Sequence, residues 1–150
     1  MSPALRHIWQ GIMTASSDLN HAIVEFYEKL SSWEHCVVRD KGLTLPQMHT
    51  LEILGIHRAM RMKELASKMG VTTGTLTVLV DRLEERGLVQ RSPHMTDRRS
   101  IMVELTDSGR TEFEEHDRLH IRLTEEICAG LSDEDKDALL RCLLSMNRMF

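Results

Sequence analysis

Four residues, Met69-Gly70-Val71-Thr72, constrain this chain more than any others. They join two segments of helical periodicity, and they carry a glycine where a helix closing in the left-handed conformation needs one. Lys63 to Met69 reads as a short helix. Thr72 then stands as an N-cap before a helix from Thr73 to Arg86, which Gly87 closes. Leu76, Leu79, Val80 and Leu83 repeat at i, i+3, i+4 and i+7, so they form one core-facing stripe. The opposite face carries Thr73, Gly74, Thr77, Val78, Asp81 and Arg82. Two helices linked by so short a turn make a helix-turn-helix.

The segment after Gly87 reads as a wing. Val89–Ser92 and Ile101–Leu105 have strand character, with Ile101, Val103 and Leu105 alternating against Met102 and Glu104. Between them runs the polar, basic tip Pro93-His94-Met95-Thr96-Asp97-Arg98-Arg99. On either side the chain is helical. Ala4 to about Val37 shows apolar positions at Leu5, Ile8, Trp9 and Ile12 and again at Ala22, Ile23, Phe26 and Leu30, with a bend or restart expected at Ser16-Ser17-Asp18. Thr44 and Gln47 have capping-box spacing, with Pro46 in the tolerated first turn of a helix to about His57. Thr106 caps a long helix reaching about Gly130. Ser132 caps the last, with Asp133, Glu134 and Asp135 complementing its dipole. The fold class is therefore mainly α (α+β): a winged helix-turn-helix with long N- and C-terminal dimerisation helices and a two-stranded β wing. The expected divisions are 1–43 for the N-terminal dimerisation helix, 44–106 for the reading domain and 107–150 for the C-terminal dimerisation helices, all within one compact fold.

Charge sharpens the reading. The net charge of −4 does not resemble that of a nucleic-acid binder, yet the charges are segregated. Between Arg58 and Arg110 lie ten Lys/Arg against seven Asp/Glu; the remainder holds nine against sixteen. The middle third is the expected surface for phosphates. Aromatic content of 4% leaves Leu, Ile, Val and ten Met to fill the interior, and a Met-rich interior is adaptable. No apolar run is long enough to span a membrane, and no signal-peptide pattern opens the chain. Three scattered cysteines, Cys36, Cys128 and Cys142, fit a reducing cytoplasmic compartment.

These features suit double-stranded DNA. Thr72, Thr73, Gly74, Thr75 and Thr77 give a helix start small enough to enter a major groove, with hydroxyls and methyls for phosphates and base edges. Val78 and Arg82 extend that face. Arg98 and Arg99 reach toward a minor groove or flanking phosphates, and Asp97 is placed to orient one of them. A Thr-rich helix in a winged-helix protein-interaction module that does not bind DNA stays open as the alternative.

Leu65-Ala66, Thr73 through Leu83, Gly87-Leu88-Val89, Asp97-Arg98-Arg99 and Leu105-Thr106-Asp107-Ser108-Gly109 together resemble the MarR family. The resemblance implies a homodimer, assembled by its first and last helices, that regulates transcription from palindromic DNA, with repression the expected mode. Within the family, Gln47-Met48-His49-Thr50-Leu51-Glu52, Thr73-Gly74-Thr75-Leu76-Thr77 and the His116–His120 segment look most like FabT-type fatty-acid-synthesis repressors. The apolar faces Leu139, Leu140, Leu143, Leu144 and Met146, and Leu5, Ile8, Trp9 and Ile12, are the expected dimer surfaces.

The effector is less legible. Phe113, His116, His120, Leu123 and Ile127 are spaced as one buried stripe, and His116 and His120 share a face at i and i+4. His49 lies in line with Ile53 and Ile56 and is expected to point inward with them. Glu34, His35 or Cys36 offers a further ligand. Two readings stay open. One is a polar-lined pocket for an organic effector; the FabT-type likeness implies acyl chains on acyl carrier protein. The other is zinc or another divalent metal, as the likeness of His49, His116 and His120 to zinc-responsive AdcR-type members implies, although their remaining carboxylate ligand has no clear match. A redox switch is a third option, but peroxide-sensing relatives carry a reactive cysteine near the start of the first long helix, whereas Cys36 lies near its end. His116-Asp117-Arg118-Leu119-His120 is one change from His-Glu-x-x-His, but no third ligand, phosphate loop or nucleophile–base pair accompanies it, so an enzyme is not expected.

Overall fold

The structure is a computed structural model that describes residues 3–95, 97 and 100–149, with side chains from Ser16 onward. Among the described residues, six α-helices and three short strands run in the order α1 (Pro3–Asp40), α2 (Leu45–His57), β1 (Met60–Arg61), α3 (Met62–Lys68), α4 (Thr73–Glu85), β2 (Val89–Pro93), β3 (Ile101–Leu105), α5 (Asp107–Ile127) and α6 (Asp133–Met146). The chain divides into two compact units, with the boundary between Thr50 and Leu51.

In the first unit, α1 is one helix of 38 residues and runs through Ser16-Ser17-Asp18 without the expected break. Three serine and aspartate residues in a row lower helix propensity by only a few tenths of a kcal/mol each, too little to interrupt a helix this long. It ends as Gly42 takes φ 65°, and the Leu43 N–H donates to the Val38 carbonyl at 3.2 Å. The Thr44–Gln47 signal is realised: the Thr44 N–H donates to Gln47 Oε1 at 2.9 Å, opening α2. Val38, Leu43 and Met48 are buried here.

The second unit carries the helix-turn-helix. Leu65 and Ala66 of α3 are buried, as are Leu76, Val80 and Leu83 of α4, while Leu79 is half-buried. Burying each such leucine contributes about 1.5–3 kcal/mol, which fixes which side of α4 faces out. The Gly70 turn has φ 65°, and the Val71 N–H donates to the Ala66 carbonyl at 3.1 Å. Thr72 then caps α4 by accepting the Thr75 N–H at 3.1 Å.

The expected two-stranded wing is the β2–β3 hairpin, and a third strand, β1, joins it at the other edge of β3. The sheet is antiparallel in the order β1-β3-β2, with Met60 opposite Val103 and Arg91 opposite Val103 on the other side. β1 has two residues, too few to show alternation in sequence, and it comes after Arg58 in the left-handed region at φ 63°. Val103 and Leu105 are buried, but Ile101, toward the tip, is 48% exposed. Leucine dominates the core: among the described methionines only Met48 and Met60 are buried, so the interior is not the Met-rich one expected from composition.

The start of α5 locks the sheet to the reading helix. Thr106 caps α5 by accepting the Gly109 N–H at 3.1 Å; its hydroxyl donates to the Gly87 carbonyl at 2.6 Å and its N–H to the Leu88 carbonyl at 3.1 Å. A Cβ at Gly109 would lie 1.8 Å from the Leu88 carbonyl oxygen, so only glycine permits this approach. Ser132 caps α6 as expected, accepting the Asp135 N–H at 3.2 Å. Gly109→Ala is therefore expected to destabilise the fold by about 1–3 kcal/mol, because the obstacle is backbone rather than a movable side chain. Thermal melting checks this; a midpoint unchanged from wild type would contradict the close packing.

Candidate nucleic-acid interface

The exposed side of α4 is built by subtraction. With Leu76, Val80 and Leu83 turned inward, Thr72, Thr73, Gly74, Thr75, Thr77, Val78, Asp81 and Arg82 are left on the surface. Val78 is 50% exposed, so its methyls are available to a ligand. Thr77 donates its hydroxyl to the Thr73 carbonyl at 2.8 Å, and the Thr72 and Thr75 hydroxyls lie 3.0 Å apart, so the threonine row is held in register by its own bonds.

The wing stands beside this face. Its tip is closed by the His94 N–H donating to the Ser100 carbonyl at 3.0 Å and the Ser100 N–H to the Asp97 carbonyl at 2.9 Å. Asp97 sits in that turn. Arg98 and Arg99, and with them the expected pairing to Asp97, lie outside the described residues. An Arg61 Nη2–His94 Nε2 contact of 3.1 Å ties the base of the tip to β1.

Sequence reasoning missed Arg91. From β2 it spans to α4, with Nη2 donating to Asp81 Oδ1 at 2.6 Å and to the Thr77 carbonyl at 3.5 Å, and Nη1 donating to Glu84 Oε2. Its N–H donates to Glu84 Oε1 at 3.2 Å. Only the partners' separation of seven to fourteen residues hid it, since no local pattern links a strand cation to the helix before it.

The histidines fall out differently from expectation. His49 is exposed rather than turned inward, as is Ile56 at 69%. Met48, Leu51 and Leu54 set the buried phase of α2, and that phase rotates His49 outward. His116 is fully buried and its Nε2 lies 3.0 Å from His120 Nε2, the rings meeting edge-on with centroids 4.6 Å apart. The third member is Glu52 of α2, whose Oε1 is 3.4 Å from His116 Nε2 and 3.7 Å from His120 Nε2. Gly55 brings the two helices together: a Cβ there would stand 2.5 Å from the Phe113 ring. The rest of the expected α5 stripe fades, with Leu123 half-buried and Ile127 49% exposed. Glu34, His35 and Cys36 lie on α1 in the first unit; His35 Nδ1 is 2.7 Å from the Ser31 carbonyl, and Cys36 is exposed.

A cap-bounded helix pair and a sheet with a basic tip can be set against known proteins. A family model described as the MarR family matches residues 43–101. The HTH-type transcriptional regulator YfiV of Bacillus subtilis (strain 168) is 35% identical over 107 residues, which are 71% of this chain and 66% of that protein. A MarR family protein from Bacillus stearothermophilus has a TM-score of 0.82 at 25% identity, covering 90% of this chain and 94% of that one. The chain is similar to MarR-family proteins over most of its length. The matched stretch spans just under two thirds of YfiV. FabT of Streptococcus pneumoniae, solved in complex with DNA, shares the MarR fold at a TM-score of 0.81 and 24% identity, covering 89% of this chain and 96% of that one. Every element of the MarR reading domain named above, from α2 to β3, lies within the matched residues or adjoins them.

Proposed function

We propose that this chain is a transcriptional regulator that binds palindromic duplex DNA as a homodimer and represses by occupying its operator. One observation carries the reading: a helix start made of Thr72, Thr73, Gly74, Thr75 and Thr77, exposed and already capped, on a helix whose other side is buried. Small side chains let the α4 backbone approach base edges, Val78 and the threonine methyls suit thymine methyls, and Arg82 suits guanine or phosphate. Asp97, Arg98 and Arg99 at the wing tip take the adjacent minor groove. FabT's complex with DNA supports the choice of partner.

A homodimer supplies two such helices. Leu139, Leu140, Leu143 and Leu144 of α6 are 43–55% exposed, and none of the residues in α6 is buried. An apolar face of this kind on a long terminal helix is what a second copy covers. Dimer symmetry then places half-sites about 34 Å apart, one helical turn.

For the effector, the Glu52–His116–His120 triangle favours a divalent metal over the organic ligand. Its edges of 3.0, 3.4 and 3.7 Å compare with the ~3.3 Å between ligands on a tetrahedral zinc ion held at 2.0–2.1 Å. Glu52 supplies the carboxylate that the sequence alone did not match. The buried His116 sits ten residues into a helix that starts on wing strand β3, about 15 Å along a rigid rod from the sheet. An ion here acts by favouring one placement of the reading elements over another.

A mobility-shift titration across salt tests the first claim, on a duplex enriched by the wild-type protein from a random-sequence pool. Affinity is expected to fall steeply as salt rises, and Arg99→Ala to weaken binding and lower the salt slope by about one with the fold intact. Failure to enrich any duplex would refute DNA binding. Metal analysis tests the second. Protein purified without chelator or His tag is expected to hold about one ion per chain, lost in His120→Ala, with DNA affinity responding to added zinc. Metal-free protein indifferent to zinc would return the site to an organic, acyl-type effector.

A further inference from the structure

Asp81 continues the Thr73–Thr77 row by one more helical turn, which places a carboxylate on the face proposed to meet DNA. Glu84 stands three residues further on. Their side chains are 51% and 40% exposed, and a phosphate backbone brought against this face would meet both. Arg91 bridges the two from β2, while its own side chain is only 22% exposed. A guanidinium has the forked geometry to serve two carboxylates at once; a lysine would serve one.

We infer that Arg91 is a positioning residue that offsets half of the negative charge which Asp81 and Glu84 present to phosphates, and that in the same act fixes the wing against that helix. The inference rests on the DNA-binding reading above. Ion pairs this exposed contribute little to stability, so the principal effect of Arg91 falls on DNA affinity. Its bond to the Thr77 carbonyl places the guanidinium directly behind the threonine row. The same cation thus sets both the field at the interface and the angle between its two reading elements. Like charges set against one another at an interface cost binding steeply, and the two carboxylates have no other cation bonded to them among the described residues' ion pairs.

The test compares four proteins on the same pool-enriched duplex at low and moderate salt: wild type, Arg91→Met, Asp81→Asn/Glu84→Gln, and all three changes together. Arg91→Met is expected to keep a near-normal melting temperature and to bind about tenfold or more weakly, through exposed like charge. The triple variant is expected to regain affinity to within about threefold of wild type, because the charges that Arg91 masked are gone. Asp81→Asn/Glu84→Gln is expected to bind more tightly than wild type at low salt, with the difference shrinking as salt rises. Arg91→Met at wild-type affinity, or a triple variant as weak as Arg91→Met, would overturn charge masking. If Arg91→Met fails to fold, the Asp81→Asn/Glu84→Gln protein decides: tighter binding upholds the inference and weaker binding overturns it. A wild-type protein that enriches no duplex defeats the DNA-binding reading itself, an outcome distinct from all of these.

Discussion

Burial of Leu76, Val80 and Leu83 along one side of α4 orients everything that the reading domain presents. A helix has one rotational freedom about its axis, and three fully buried side chains at i, i+4 and i+7 remove it. Once that rotation is fixed, the threonines of the first turn have nowhere to go but outward. The cap at Thr72 depends on the same phase, since its hydroxyl must meet the Thr75 N–H for the helix to start where it does. The wing is then attached at two points: Thr106 and Gly109 hold its base to the Leu88 backbone, and Arg91 holds its strand to the polar side of α4. Helix and wing are thereby one rigid reader, which is what recognition of a preformed groove requires.

The functional consequence lies in how little each contact has to do. Small side chains at a capped helix start leave backbone and hydroxyl groups open to a partner, and Arg82 stands exposed on the same helix. Basic residues concentrate in the middle third while the rest of the chain is acidic, so that third is the part of the sequence with an electrostatic preference for phosphates. On the same unit, α5 joins the sheet at its start to a Glu52–His116–His120 cluster farther along, so a change at the cluster has a stiff path to the wing.

Much of this was legible in sequence because it is local. The α4 stripe has a clean 3.6-residue period, and Thr44, Thr72, Thr106 and Ser132 stand at cap positions that short-range chemistry dictates. What escaped is tertiary. β1 is two residues long and exists only because β3 offers it an edge. His49 was misplaced because α2 is buried on several sides, at Gln47, Met48, Thr50, Leu51, Ile53 and Leu54, so that its phase could not be taken from Ile53 and Ile56 alone. Glu52 and Arg91 matter through partners on other elements, and nothing in the sequence around either announces that partner.

The central claim is that two copies of one rigid reader address a duplex in register. Hydroxyl-radical footprinting on a duplex enriched by the intact protein addresses it most directly. The account predicts two protected patches related by a dyad, centred about one helical turn apart, each flanked by protection in the neighbouring minor groove where the wing tip would lie. A single patch without symmetry, or a duplex cut evenly along its length, would contradict it.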